Sequence, residues 1–140
     1  MICKTGEKSM NELANKLSEE FSDIEYAHSY MEAHSITRIA AQIYALRKQR
    51  GWSQEELSIK SGIAQERISK IESADFDSLT IKTLRKFAHA FDINLKITFQ
   101  TFSEGILDLV NINAKKMEAD PREIDLQKFK LAPVNQKINT

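Results

Sequence analysis

Five polar residues in the hexapeptide QERISK, at positions 65–70, carry the side chains best suited to chemistry. The Gln65 amide donates and accepts hydrogen bonds, Glu66 accepts them, Ser69 adds a hydroxyl, and Arg67 and Lys70 are cations with several donors. Such a set suits reversible recognition of a polar, charged partner. Because the sequence has no nucleophile elbow, phosphate-binding loop or paired-acid signature, we expect that the protein is not an enzyme and has no catalytic residues.

Metal and cofactor chemistry are not expected either. The three histidines, His28, His34 and His89, have spacings that fit no common pair of metal ligands on a helix. Cys3 is the only cysteine, so it can form neither an internal disulfide nor a cysteine cage, and we interpret it as an incidental thiol.

The charge is distributed unevenly along the chain although its net value is zero. Residues 1–37 have 3 lysines against 7 acidic residues, whereas residues 38–100 have 11 basic residues against 7 acidic ones. A basic middle segment is compatible with nucleic-acid binding. The sequence shows neither an apolar run of membrane-spanning length nor the apolar core of a secretion signal, so we expect a cytoplasmic protein without a membrane partner.

Two short helices are predicted to position the hexapeptide. Ser53 and Glu56 have the spacing of a capping box, which predicts a helix that begins at Gln54. Gly62 can adopt the left-handed conformation that ends this helix near Ser61. Apolar residues then place one face of a second helix in the core, namely Ile63, Ile68 and Ile71, and the polar residues of positions 65–70 lie on the opposite face.

Helices are also predicted on both sides of this pair. Apolar residues repeat at helical spacing in three stretches: Met10, Leu13, Leu17, Phe21 and Ile24; Ile39, Ala40, Ile43 and Leu46; and Leu84, Phe87, Ala88 and Phe91. Asp23 can cap a helix that follows the first stretch, and Thr80 can cap the third. Gly51, preceded by Arg47, Lys48 and Arg50, has the pattern of a helix C-terminus.

After Phe91 the spacing of the apolar residues changes from a helical repeat to an alternation of every second residue. Ile93, Leu95, Ile97 and Phe99 alternate with polar residues, which predicts a half-buried strand. Its partner is either residues 106–112, folded back as a hairpin, or the same strand of a second copy, which we favour. The apolar residues of 106–112 do not alternate cleanly, and Gly105 could equally interrupt a short helix there. We therefore divide the chain into an N-terminal helical arm (1–35), a domain with a terminal strand (36–100) and a partly disordered C-terminal extension (101–140).

The motif "GWSQEELS...SGIAQERISKIE" carries a family resemblance. Residues 39–99 resemble the phage-repressor type of helix-turn-helix domain, the Cro or XRE family. The resemblance implies a mainly all-α fold, a five-helix domain that binds DNA as a homodimer, and a second helix that enters the major groove. Ser58 and Ser61 depart from the pattern, which usually has alanine and an apolar residue there. Ile59 is then either buried by a rotation of the first helix or exposed at an interface.

Helical phase and the resemblance together assign roles to the DNA-binding residues. Gln65 is expected to read adenine, and Glu66 either accepts from cytosine or orients Arg67 or Lys70. Arg67 reads guanine or contacts a phosphate, Lys70 contacts a phosphate, and Ser69 projects from the same face. Gln54, in the first turn of the preceding helix, is expected to bind a phosphate. The competing interpretation of this face is an ordinary solvated helix surface.

These expectations lead to a transcriptional regulator, a repressor that binds an inverted-repeat operator. The alternative is an antitoxin that neutralises a partner toxin and regulates its own operon, because a helix-turn-helix followed directly by a strand is similar to DNA-binding antitoxins. In that case the acidic arm or the C-terminal tail would bind the toxin. A third possibility is a protein-interaction module that has lost DNA binding.

Overall fold

The computed structural model describes the backbone of residues 2–133 and the side chains of residues 9–133. The Cys3 side chain and the end of the extension after Pro133 lie outside this part. The helices are α1 (Ile2–Glu20), α2 (Ile24–Arg50), α3 (Gln54–Ser61), α4 (Gln65–Glu72), α5 (Ile81–Phe91), α6 (Phe102–Val110) and α7 (Arg122–Leu131), with a 3₁₀ turn at Ala114–Met117. Over the described residues, no helix is both long and apolar enough to cross a membrane.

The longest helix, α2, connects the arm to the rest of the protein. Asp23 caps its start by accepting a hydrogen bond from the Tyr26 amide, as predicted, and Gly51 ends it with φ 71°. The sequence between these caps contains neither glycine nor proline, so nothing interrupts the helix over its 27 residues. The boundary expected between residues 35 and 36 therefore falls inside α2.

One core joins α2 to α3, α4 and α5. Its buried side chains are Ile43, Leu46, Leu57, Ile63, Ile68, Ile71, Phe87 and Phe91. The Thr80 hydroxyl caps α5 by accepting from the Thr83 amide, as predicted. The apolar stripes that the sequence placed on three separate helices thus meet in a single cluster, which fixes the orientation of α4.

The arm packs at the other end of α2, where α1 lies against α6. Leu17, Ala27 and Ile106 are buried there. The Phe21 ring makes edge contacts with Tyr30 and Phe102, at centroid distances of 5.5 and 5.7 Å. Of the stripe predicted for the arm, Leu17 is buried, whereas Ile24 at the start of α2 is 75% exposed.

The strand predicted at Ile93–Phe99 is not seen. Residues 93–101 connect α5 to α6 without a strand, and the described residues contain no sheet. The proposed hairpin partner is also wrong, because residues 102–110 form α6. A strand needs the backbone groups of a neighbouring strand, and the part of the chain that the structure describes contains no other strand to pair with this segment.

The C-terminal extension crosses the ends of α2 and α5. The Ala119 amide donates to Gln49 Oε1 at 3.1 Å, and Gln49 Nε2 donates to Asp120 at 3.2 Å. The Arg122 amide donates to the Asp92 carbonyl at 2.9 Å, and its guanidinium pairs with the Asp92 carboxylate at 3.3 Å. Helix α7 therefore starts beside the first residue after α5.

Candidate nucleic-acid interface

Helices α3 and α4 form the predicted pair of short helices. The capping box is present: Ser53 Oγ accepts from the Glu56 amide at 3.1 Å, and the Ser53 amide donates to Glu56 at 3.4 Å. Gly62 has φ 74°, and its amide donates to the Ser58 carbonyl at 2.9 Å. Because this conformation is accessible to glycine at little cost, the chain can end α3 and begin α4 within three residues.

The two serines that depart from the family pattern both stabilise this turn. Ser58 Oγ donates to the Ile63 carbonyl, and Ser61 Oγ accepts from the Ile63 amide at 3.2 Å. Both backbone groups of Ile63 are thus satisfied while its side chain is buried. Ile59 is 77% exposed, so α3 does not rotate to bury it.

Helix α4 has one buried and one exposed face. Ile68 and Ile71 are 0% exposed and Ile63 is 6% exposed, as the stripe predicted. Five of the predicted side chains lie in solvent on the remaining surface: Gln65, Glu66, Arg67, Ser69 and Lys70. Helix α4 has eight residues, and the diameter of an α-helix with its side chains, about 10 to 12 Å, fits the major groove, which is about 12 Å wide.

Gln54 lies apart from these five residues, on α3, and is half-buried. Its Nε2 donates to Glu72 Oε1 at 3.4 Å, a contact that links the start of α3 to the end of α4. A glutamine amide has two N–H donors and a carbonyl, so this bond leaves other polar atoms of Gln54 available.

A buried ion pair behind α4 was missed by the sequence analysis. Arg47 Nε and Nη2 donate to the two oxygens of Glu72, each at 2.8 Å, and Nη1 donates to the Trp52 carbonyl at 2.9 Å. The two side chains are 8% and 5% exposed. Hydrogen bonding to Glu72 raises the pKa of Arg47. In the sequence, Arg47 is recognisable only as a cation in the last turn of α2, and Glu72 only as a glutamate of the motif. Because they are 25 residues apart, no local spacing pattern indicates that they pair.

Trp52 covers the core between α2 and α3. Its ring stacks on Phe91 of α5 at 5.6 Å, with an angle of 10° between the planes. Lys60 Nζ lies 4.7 Å from the centre of the indole ring. Trp52 is thus a half-buried lid over this part of the core, and its stacking partner is on α5.

The site contains no arrangement suited to metal binding. Among the side chains of residues 9–133, no three histidine, cysteine, aspartate or glutamate residues are grouped so that they could hold an ion. What the site offers is an exposed helix surface with amide, hydroxyl, carboxylate and cationic groups, held by an apolar core and an ion pair. Such an arrangement can form hydrogen bonds and charge contacts with a polyanion.

Comparison with known proteins agrees with this geometry. The helix-turn-helix family model matches residues 43–97, and the chain belongs to the Cro/XRE-type helix-turn-helix family of DNA-binding regulators, which are not enzymes. The antitoxin HipB of Escherichia coli (strain K12) is 32% identical over 69 residues, which cover 49% of this chain and 77% of HipB. No solved structure matches the chain significantly.

Proposed function

We propose that the protein is a transcriptional repressor that binds an inverted-repeat operator as a homodimer. The observation that carries this proposal is the exposed polar face of α4 opposite its buried isoleucines. A repressor of this kind occludes the promoter when each protomer occupies one half-site. The half-site centres would lie about 10 base pairs apart, one turn of the duplex.

Each exposed side chain has a role that suits its chemistry. Gln65, in the first turn of α4, reads adenine through its amide, and Arg67 contacts guanine or a phosphate. Lys70 contacts a phosphate as a point charge, and Ser69 adds a hydroxyl donor on the same face. Glu66 accepts from cytosine or holds a neighbouring cation.

Gln54 would serve both helices. Its bond to Glu72 directs the amide along the junction between α3 and α4, and its remaining N–H would donate to a phosphate near the N-terminus of α3. In this role Gln54 couples phosphate binding to the position of α4.

The homodimer would form through residues 93–99. Ile97 is 61% exposed and Phe99 is 103% exposed, although both occupy the apolar positions of the alternating pattern. Pairing this segment with the same segment of a second copy would supply the missing backbone hydrogen bonds. Phe99→Asp should therefore shift the protein toward monomer in sedimentation equilibrium, and an unchanged dimer would exclude this contact.

Selection of bound duplexes from a random pool, followed by anisotropy titrations, tests the recognition face. Gln65→Ala should lose about 1 to 3 kcal/mol of discrimination at one base position. Lys70→Ala should weaken all duplexes alike and reduce the salt slope by about one. Lys16→Ala on α1 is the matched control, because this lysine is 71% exposed and lies on the arm. If Gln65→Ala and Lys70→Ala both behave like the control, α4 does not read DNA in this way.

The second candidate function is an antitoxin that also regulates its own operon. The similarity to HipB over 77% of that antitoxin favours it. Co-expression with the product of the adjacent gene tests this candidate: a stable complex and restored growth would support a toxin partner. If the product of the adjacent gene neither binds the protein nor inhibits growth, the antitoxin function is contradicted and the repressor function remains.

A further inference from the structure

Helix α7 is ten residues long, and none of its side chains is buried. Isolated helices of this length are marginal in water, because few hydrogen bonds offset the entropy of nucleation. Among the described residues, its ion pairs join Arg122 to Asp92 at 3.3 Å and Lys128 to Asp120 at 2.8 Å. Helix α7 therefore has packing surface available for another molecule.

One stripe of α7 is apolar and open. Ile124 and Leu131 are seven residues apart, so the helical rotation brings them to within about 20° of each other, roughly 10 Å apart along the axis. Ile124 is 49% exposed and Leu131 is 87% exposed. A partner helix could cover both side chains at once.

The charges beside this stripe are arranged by sign along the helix. The acidic residues Glu123 and Asp125 lie in its first turn, and Lys128 and Lys130 lie in its last turn. By helical phase, Glu123 and Lys130 lie on one flank of the Ile124–Leu131 stripe, and Asp125 and Lys128 lie on the other. If an identical helix runs antiparallel to this one, acidic groups face basic groups on both flanks.

We propose that α7 packs antiparallel against α7 of a second copy across a two-fold axis. Ile124 of each copy contacts Leu131 of the other, and Glu123 pairs with Lys130 of the other copy. Asp125 faces Lys128 of the other copy, which also stays paired with Asp120 of its own protomer. Such a contact is self-complementary, as two-fold symmetry requires. A parallel arrangement would place like charges together, which disfavours it.

The position of α7 connects this contact to the proposed dimer. Helix α7 begins at the Arg122–Asp92 hydrogen bond, next to residues 93–99. A pair of seven-residue strands, roughly 23 Å long, covers much less than the ~800 Å² per partner of a typical stable interface. Pairing of α7 would add area at the same end of the molecule. The inference rests on the homodimer of the proposed function and adds a second contact to it.

A charge-reversal cycle on the full-length protein tests the pairing by sedimentation equilibrium at low ionic strength. Lys130→Glu and Glu123→Lys should each raise the dimer dissociation constant about tenfold, since each change replaces two attractive pairs with two repulsive ones. The double reversal should restore the original value. Lys115→Glu, an exposed lysine of the 3₁₀ turn, is the control and should have little effect. The pairing is excluded if the dimer dissociation constant of the double variant is no lower than those of the single variants. It is also excluded if the single variants dimerise as tightly as the unmodified protein.

Disulfide trapping gives a second, independent readout. In a Cys3→Ser background, Ile124→Cys combined with Leu131→Cys should form a covalent dimer on oxidation. Ile124→Cys alone should not, because the two cysteines would lie roughly 10 Å apart along the paired helices. Both measurements are made without DNA. If the unmodified protein is monomeric at every concentration, the homodimer itself is contradicted. If it is a dimer that the charge reversals do not weaken and that the cysteine pair does not trap, only the α7 contact is contradicted.

Discussion

Glu72→Ala is expected to destabilise the fold strongly, because it leaves the buried guanidinium of Arg47 without its counter-ion. In the folded protein two hydrogen bonds of 2.8 Å join these side chains, which are 8% and 5% exposed. Removing one member of a buried pair typically costs about 3 to 5 kcal/mol, since the remaining charge stays desolvated. A domain has a total stability of about 5 to 15 kcal/mol, so a substantial part of it would be lost.

Urea denaturation followed by Trp52 fluorescence measures this change. The variants must be compared at one protein concentration, because dimerisation would add to the apparent stability. Arg122→Ala is the matched control: its ion pair with Asp92 is 63% and 45% exposed, so its loss should have a much smaller effect. The double variant Arg47→Met/Glu72→Leu should be more stable than Glu72→Ala, because no charge remains buried. A loss below about 1 kcal/mol for Glu72→Ala would refute the reasoning.

Three further predictions concern the turn and the arm. Gly62→Ala should cost about 1 to 2 kcal/mol in urea denaturation through backbone strain alone, because φ is 74° and nothing lies within 4 Å of an added Cβ; an unchanged stability would contradict this. Ser58→Ala should destabilise by about 1 kcal/mol despite alanine's higher helix propensity, because the hydrogen bond to the Ile63 carbonyl is lost, and a stabilised variant would show that this bond is unimportant. Burial, followed by the charge of Arg38, lowers the pKa of His34 below 6.5, so the stability it contributes is present above pH 6.5 and is lost as the pH falls through the lowered value. An NMR titration of His34 should show this lowered pKa, and His34→Gln should reduce the acid dependence of unfolding.

Much of the helix-turn-helix could be predicted because its signals are local. Ser53 with Glu56, Gly62, and Thr80 each satisfy backbone groups within a few residues of themselves, so sequence spacing is enough to locate the ends of the helices. The exposed face of α4 followed from the same reasoning, since burial of Ile68 and Ile71 leaves only one orientation for the residues between them.

The less successful predictions concerned partners distant in sequence. The alternation at Ile93–Phe99 predicted a strand, but it could not show that none of the described residues forms a neighbouring strand. Residues 106–112 were ambiguous because a short apolar run suits either a strand or a helix, and packing of α6 against α1 accompanies the helical form.

The sequence by itself determined where α3 begins and ends, and which side chains of α4 face solvent, because caps and apolar spacing act within a few residues. Only the tertiary structure decided that Arg47 is buried against Glu72, that Gln54 joins the same contact, and that the extension crosses the ends of α2 and α5. These contacts join residues 18 to 70 positions apart, and no local pattern specifies which distant groups will meet when the core forms.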